Sequence, residues 1–226
     1  MKFLTITGVG PGDPSLLTMA AVDAIKESTV VSYPVSIIGG VSLAERIASK
    51  WISEDKKKLP LHFPMVDDQN TLREAWEVAG NKLMKMVEQG ERVVFLAQGD
   101  ISLFSTGSYL SKELEKHHQE CVVKLIPGVT SFSAAAALSK FPLAFQEEEL
   151  LVVPVPESYE KLKVILTEAA LMKRVVVLLK LGKKWTWVRS LLQELDLLES
   201  SIFSVRVGLS DQQIVKASNF SSESSP

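Results

Sequence analysis

Residues 3–18 read FLTITGVGPGDPSLLT, a short β-branched run followed by a turn with glycine at positions 8, 10 and 12. Pro11 stiffens this turn, and glycine lets its backbone approach a ligand closely. Asp13 and Pro14 are typical of a helix N-cap and first helical position. We therefore expect a strand, a tight turn with preorganised amides, and a helix that begins at Asp13.

The same alternation of β-branched runs with segments of helical period continues along the chain, and it is typical of a mostly parallel sheet flanked by helices. Apolar residues step by three or four from Leu72 to Met86, and Gly90 predicts the end of that helix. We expect an α/β fold. The predicted strands are Phe3 to Gly8, Thr29 to Ser32, Arg92 to Ala97, Val122 to Ile126, Leu150 to Val153, Arg174 to Lys180 and Ser201 to Val207.

A change of composition at residues 141–155, FPLAFQEEELLVVPV, marks the predicted domain boundary. Prolines and an acidic run lead there into a new apolar strand. We expect an N-terminal α/β domain over residues 1–145, which carries the glycine-rich turns, and a C-terminal α/β domain over residues 146–226. The alternative is a single sheet with a surface insertion.

Composition and charge limit the classes of protein and partner. The 226 residues include 25 Lys and Arg and 27 Asp and Glu, so the net charge of -2 provides no bulk attraction to nucleic acid or an anionic membrane. The single cysteine, Cys121, excludes an internal disulfide and suits a reducing compartment. The N-terminal apolar run breaks at residues 10–12, far short of the ~20 residues that cross a bilayer. We expect a cytoplasmic protein with neither nucleic acid nor membrane as partner.

A second glycine-containing motif, AQGDISLFSTGSYL at residues 97–110, follows the third predicted strand. Open α/β sheets bind ligands beyond the carboxyl ends of their strands. The backbone at Gly99, the Asp100 carboxylate, and the hydroxyls of Ser105 and Thr106 are therefore expected to face the same crevice as the first turn. Asp100 either accepts hydrogen bonds from a ligand or caps the helix that follows.

The third motif is LIPGVTSFSAAAA at residues 125–137, again a strand, a glycine turn and a helix. Thr130 and Ser131 lie where the amides at the start of this helix point. Close helix packing could explain its alanines, but three strand ends that repeat glycine and hydroxyl chemistry favour a shared ligand site. The dinucleotide fingerprint is excluded, because Asp13 replaces a required glycine and residues 29–36 lack the ribose-binding acid.

In order and spacing, these three motifs resemble the signatures of the tetrapyrrole methylase family, whose members transfer a methyl group from S-adenosylmethionine to intermediates of sirohaem and cobalamin synthesis. The resemblance extends to about Val215. STGSYL at residues 105–110 and VVVLLKLGKKW at residues 175–185 are most similar to the branch that methylates precorrin-2 at C20. Ile101 stands where the family usually has proline. Members commonly carry one more strand, so the C-terminal domain is expected to lack its last strand.

The resemblance implies that S-adenosylmethionine binds in a cleft between two α/β domains, and that the enzyme is a homodimer. The precorrin-2 acceptor, metal-free or with cobalt, carries several carboxylates, so Lys180 and Arg206 are expected to bind it. Leu179 stands where relatives often have methionine. Matched position by position, the implied cofactor contacts are Pro11, Gln98, Gly99, Asp100, Ile101, Ser105, Thr106, Thr130, Ser131, Leu179 and Val207.

The residues indicate no metal site, because His62, His117 and His118 lack ligands at metal-binding spacing. Methyl transfer from a sulfonium to an electron-rich carbon needs alignment and desolvation rather than a protein nucleophile. The base that removes the proton stays open among the acceptor's acetate groups, water and Tyr109. Two alternative functions also stay open: another branch of the family, such as a different ring position or a diphthine synthase, and a module that senses S-adenosylmethionine or S-adenosylhomocysteine without turnover.

Overall fold

The computed structural model describes residues 2–66 and 68–220. The chain divides into two compact units, Met1–Ser131 and Phe132–Pro226. This division falls earlier along the chain than the predicted boundary between residues 145 and 146. The alanine-rich helix of the third motif thus belongs almost wholly to the second unit. The composition change marks the next strand instead.

The first unit is a five-stranded parallel sheet with helices in between. The strands are β1 (Lys2–Gly8), β2 (Val30–Val35), β3 (Lys57–His62), β4 (Val93–Ala97) and β5 (Cys121–Ile126), and the helices are α1 (Met19–Glu27), α2 (Leu43–Ala48), α3 (Gln69–Glu88) and α4 (Thr106–His117). The strand order is β3-β2-β4-β1-β5, and every neighbouring pair is parallel. The carboxyl ends of all five strands therefore lie at one edge.

Helices cover both faces of this sheet, so its central strand is apolar throughout. Alternate residues of β4 enter two different cores. Val93 and Phe95 pack with residues of α3 and α4, whereas Val94 and Leu96 pack with residues of α1 and α2. All five residues of β4 are buried. This two-sided burial explains why the sequence there shows a continuous apolar run rather than an alternating one.

Strand β3 was not among the predicted strands, because its sequence KKLPLH contains lysines and a proline. Both residue types are depleted in strands. β3 is an outermost strand of the sheet, so the missing amide hydrogen of Pro60 removes no hydrogen bond between two inner strands. Its pairing with β2 aligns Tyr33 with Pro60 and Val35 with His62.

The end of α3 agrees with the boundary predicted from the sequence, whereas the start of α1 does not. α3 ends at Glu88, and Gly90 follows it with a φ of 84°, as predicted. The Asp13 carboxylate accepts a hydrogen bond from the Ser15 amide at 2.8 Å, but it caps only a short 3-10 turn. The backbone then extends at Leu17, so α1 begins later, with Thr18 as its N-cap.

The second unit combines a parallel βαβ segment with an antiparallel strand pair. The elements are α5 (Ser131–Ser139), β6 (Glu149–Pro154), α6 (Tyr159–Leu171), β7 (Arg174–Leu179), α7 (Trp185–Glu194), β8 (Ile202–Val205) and β9 (Gln213–Lys216). β6 and β7 are parallel, and β8 and β9 are antiparallel. β9 was not predicted. Phe203 stacks on Phe220 with ring centroids 3.8 Å apart, in a core that also contains Trp185.

The predicted fold class, α/β with mostly parallel sheets, is confirmed. Within residues 2–66 and 68–220, no helix has the length and apolar character needed to cross a membrane.

Candidate functional site

The first two glycine-rich turns pair with each other directly, beyond the ends of β1 and β4. The Val9 amide donates to the Ala97 carbonyl at 2.9 Å. Gly10 and Gly99 then form an antiparallel bridge, with N–O distances of 3.2 and 2.8 Å. Both have positive φ, 76° and 71°, which is the left-handed region that favours glycine. The two turns are therefore one joined piece of backbone at the sheet edge.

The third motif meets the other two at distances that only glycine permits. A Cβ atom built on Gly8 would lie 2.5 Å from the Gly99 carbonyl oxygen and 2.8 Å from the Gly128 nitrogen. A Cβ on Gly128 would collide with the same Gly99 oxygen. Both positions must stay glycine for the ends of β1, β4 and β5 to meet.

The Asp100 carboxylate joins the β4 turn to the β5 turn. One oxygen accepts the Gly128 amide at 2.8 Å, and the other accepts the amide and the hydroxyl of Ser102, the amide at 2.9 Å. Burial raises the pKa of this carboxyl, but the hydrogen bonds from Ser102 and Gly128 outweigh it and hold the pKa below the ordinary value. Asp100 is thus an ionised link between two loops.

The start of α4 is fixed by hydroxyl groups rather than by Asp100. Ser105 is the N-cap of this helix, and its hydroxyl accepts a hydrogen bond from the Gly107 amide at 3.1 Å. The Ser108 hydroxyl donates to the Ile101 carbonyl. The first turn of α4, which starts at Thr106, is therefore held against the β4 turn.

The geometry fits a ligand that is recognised mainly by backbone atoms. A Cβ atom on Gly99 would meet nothing within 4 Å, so open space adjoins the backbone at this position. The exposed Gln98 side chain reaches back to the Pro11 carbonyl at 3.4 Å, whereas Ile101 is buried. Such an open backbone cradle fits an adenosyl group, whose polar edges can pair with amides and carbonyls.

The remaining predicted residues lie at strand or helix ends. Thr130 and Ser131 stand at the start of α5. In the second unit, the Leu179 carbonyl accepts the Val155 amide at 2.8 Å, and Val207 is buried after β8. Lys180 and Arg206, the predicted acceptor contacts, directly follow β7 and β8, and both have positive φ, 57° and 53°. Arg206 pairs with Asp211 at 2.9 Å.

The predicted cofactor contacts did not include four residues that the structure places in this network: Gly8 and Gly10, which the sequence had indicated only as parts of the first turn, and Ser102 and Gly128. The signal for Gly8 and Gly128 was present, since Gly8 ends a predicted strand and Gly128 lies two residues after another. The Ser102 contact had no comparable signal. Within the described ranges, no group of three or more His, Cys, Asp and Glu side chains is arranged to hold a metal ion.

The fold and this edge define a class: an α/β protein with a glycine-built candidate ligand site at the carboxyl ends of three neighbouring parallel strands. Residues 4–220 match the model of the Tetrapyrrole (Corrin/Porphyrin) Methylases. The chain therefore belongs to the tetrapyrrole methylase family.

Two curated proteins that this chain resembles are named as methyltransferases that act at C20 of cobalt-precorrin-2. The cobalt-precorrin-2 C(20)-methyltransferase of Salmonella typhimurium is 30% identical over 206 residues, which is 90% of this chain and 83% of that protein. The probable cobalt-precorrin-2 C(20)-methyltransferase of Methanocaldococcus jannaschii is 36% identical over 154 residues, 68% of this chain and 64% of that protein.

Two solved structures show the shared fold. CbiF, a cobalt precorrin-4 methyltransferase, superposes with a TM-score of 0.70 at 20% identity, over 96% of this chain and 87% of that one. The uroporphyrin-III C-methyl transferase from Thermus thermophilus, in complex with S-adenosylhomocysteine, has a TM-score of 0.62 at 24% identity, over 94% of this chain and 86% of that one.

Proposed function

We propose that this protein is an S-adenosylmethionine-dependent methyltransferase that methylates precorrin-2, or its cobalt form, at C20 in cobalamin biosynthesis. The observation that carries the proposal is the joining of all three family motifs by backbone contacts at one sheet edge. The similarity to the Salmonella C(20)-methyltransferase, which extends over most of both chains, supports the acceptor and the ring position.

The cofactor-binding residues are proposed to be those of the three turns together with two from the second unit. S-adenosylmethionine supplies an electrophilic methyl group on a sulfonium sulfur. The protein contributes a rigid backbone frame at Gly10, Gly99 and Gly128, which limits reorganisation on binding. The other cofactor contacts proposed from the family resemblance are Pro11, Gln98, Asp100, Ile101, Ser105, Thr106, Thr130, Ser131, Leu179 and Val207.

In the reaction, the C20 carbon of the acceptor forms a bond to the methyl carbon, while the bond between the methyl carbon and the sulfonium sulfur breaks. The proton at C20 then leaves to a base. The protein's own contribution is to align the two reactants and exclude water. No side chain of this chain is assigned as the base.

Substrate binding is proposed to involve Lys180 and Arg206, whose charges suit the carboxylates of the acceptor. Replacing either residue by glutamine is expected to raise the KM for the acceptor by about tenfold, the loss expected when a hydrogen bond to a charged group is removed. The dissociation constant of S-adenosylhomocysteine should stay within twofold, and the effect on KM should shrink in high salt.

A matched control for these variants is Lys216→Gln. This change removes another exposed ion pair of the second unit, between Lys216 and Glu199 at 3.1 Å, and should leave both constants unchanged. An acceptor KM that stays within twofold of the wild-type value in both Lys180→Gln and Arg206→Gln would place the carboxylate contacts elsewhere.

The decisive experiment offers the purified protein S-adenosylmethionine and a panel of tetrapyrroles, and identifies the product by mass spectrometry and nuclear magnetic resonance. One methyl group added at C20 of precorrin-2 or cobalt-precorrin-2 is the expected result. Methylation at another ring carbon would move the protein to a different branch of the family. Tight S-adenosylhomocysteine binding with no product from any acceptor would identify a sensing module instead.

The enzyme is further proposed to be a cytoplasmic homodimer. A single cysteine is compatible with a reducing compartment. Light scattering on the purified protein would test the dimer, for which a mass of twice 24.9 kDa is expected.

A further inference from the structure

A column of aromatic rings runs from the core of the first unit to its surface. Phe95 is fully buried in β4 and contacts Phe63 edge-on, with ring centroids 6.2 Å apart. Phe63 contacts Trp76 at 4.5 Å, and Trp76 stacks on Tyr109 at 5.3 Å with an interplanar angle of 29°. Tyr109 is 58% exposed. The column therefore holds an accessible aromatic ring in a fixed orientation.

The outer part of this column lies near the carboxyl ends of the strands, as the three glycine turns do. Phe63 directly follows β3, and its amide donates to the carbonyl of Val35, the last paired residue of β2, at 2.9 Å. Tyr109 lies in the first turn of α4. The neighbouring Ser108 hydroxyl fixes this turn to the Ile101 carbonyl of the β4 turn.

Two exposed cationic residues lie one helical turn away from the stacked rings. Arg73 lies three residues before Trp76 on α3, and Lys112 lies three residues after Tyr109 on α4; both are exposed. Residues three apart on a helix are neighbours on its surface. A flat apolar ring with cations beside it complements a planar conjugated ligand that carries carboxylates.

Resting on the function proposed above, we propose that Tyr109 is an acceptor-binding residue: a pyrrole ring of the tetrapyrrole stacks on its exposed face, while Arg73 and Lys112 meet carboxylates at the rim. The side chain contributes its ring, backed by Trp76, rather than its hydroxyl. Tyr109 is thereby a substrate-positioning contact and not the base.

The test compares Tyr109→Ala and Tyr109→Leu, which remove the ring, with Tyr109→Phe, which keeps it. Loss of the ring is expected to raise the acceptor KM about tenfold, since stacking of one planar base on an aromatic side chain is worth a factor of that order. Tyr109→Phe should stay within twofold of wild type. Unchanged S-adenosylhomocysteine affinity in all three variants would show that the glycine turns remain folded.

The matched control is Phe3→Ala. Phe3 is also aromatic and 54% exposed, but it lies near the start of β1, at the opposite edge of the sheet. This variant is expected to keep the wild-type KM. The double variant Arg73→Gln, Lys112→Gln should raise the KM as well, with an effect that diminishes in high salt.

A second readout separates this inference from the proposed reaction. Uroporphyrin, a stable tetrapyrrole with carboxylates, is titrated into each variant and its absorbance followed. If precorrin-2 is not methylated at all, weaker uroporphyrin binding in Tyr109→Ala and Tyr109→Leu, but not in Tyr109→Phe, would still support the stacking contact. Uroporphyrin affinity and acceptor KM within twofold of wild type in Tyr109→Ala would overturn it. Loss of turnover in Tyr109→Phe at unchanged KM would overturn the statement that Tyr109 is not the base, by assigning its hydroxyl to proton transfer.

Discussion

Replacing Gly128 by alanine is expected to lower the free energy of unfolding by about 3 kcal/mol, the upper range for forcing an extra methyl group into a packed site. It should also abolish measurable S-adenosylhomocysteine binding. The new methyl group would collide with the Gly99 carbonyl oxygen. This oxygen belongs to backbone that is held by the bridge to Gly10, so the clash cannot be relieved by a side-chain rotation.

A glycine with space around it provides the control. Gly80 lies within α3, and a Cβ atom there would make an ordinary contact of 3.7 Å with the Glu113 side chain. Gly80→Ala should therefore stabilise the protein by about 0.5 to 1 kcal/mol, the usual gain for alanine over glycine in a helix. Denaturant unfolding and calorimetric titration measure both effects. If Gly128→Ala unfolds like wild type, the close meeting of the three strand ends is wrong.

Replacing Asp100 by alanine is expected to lower the free energy of unfolding by about 2 kcal/mol, because charge-assisted hydrogen bonds are lost and the Gly128 amide is left unpaired. S-adenosylhomocysteine affinity should fall as well, since the β5 turn loses its link to the β4 turn. Asp100→Asn should be destabilised nearly as much. The substitution turns one of the two accepting oxygens into an NH2 group, which is a donor and would face the donors of Ser102 or Gly128.

The matched control for Asp100 is Asp68→Ala. Asp68 is the exposed N-cap of α3 and accepts the Thr71 amide at 2.7 Å, so its loss should cost only about 1 kcal/mol and leave ligand affinity unchanged. Reduced affinity in Asp100→Ala without any loss of stability would mean that the carboxylate contacts the ligand itself.

The pH dependence of Asp100→Ala is an internal check on this explanation. The pKa of Asp100 is lower in the folded protein than its ordinary value of 3.8. Its ionised carboxylate therefore stabilises the fold above pH 3.8, and this contribution is lost as the pH falls through the folded-state pKa. The stability difference between wild type and Asp100→Ala should be full at pH 7 and should diminish below pH 3.8. A difference that is constant from pH 7 to pH 3 would contradict the link.

Local pattern in the sequence was enough to predict most strands and the three glycine turns. All seven runs predicted as strands are strands in the structure, where they form β1, β2, β4, β5, β6, β7 and β8. The central strand β4 is apolar along its whole length, because both of its faces are buried. Strand β3 escaped prediction, because an edge position tolerates the lysines and the proline that would disrupt an inner strand. The membership in the tetrapyrrole methylase family was also predicted from the three motifs.

What only the tertiary structure decided is how those motifs are joined. The sequence left Asp100 open between ligand contact and helix cap, whereas the structure assigns the cap of α4 to Ser105 and binds Asp100 to Ser102 and to the Gly128 amide. The ring column that ends at Tyr109 likewise joins rings from β4, from the residue after β3, and from α3 and α4. Hydrogen bonds and ring contacts between residues far apart in the chain depend on strand order, and a local pattern of residue types carries no information on that order.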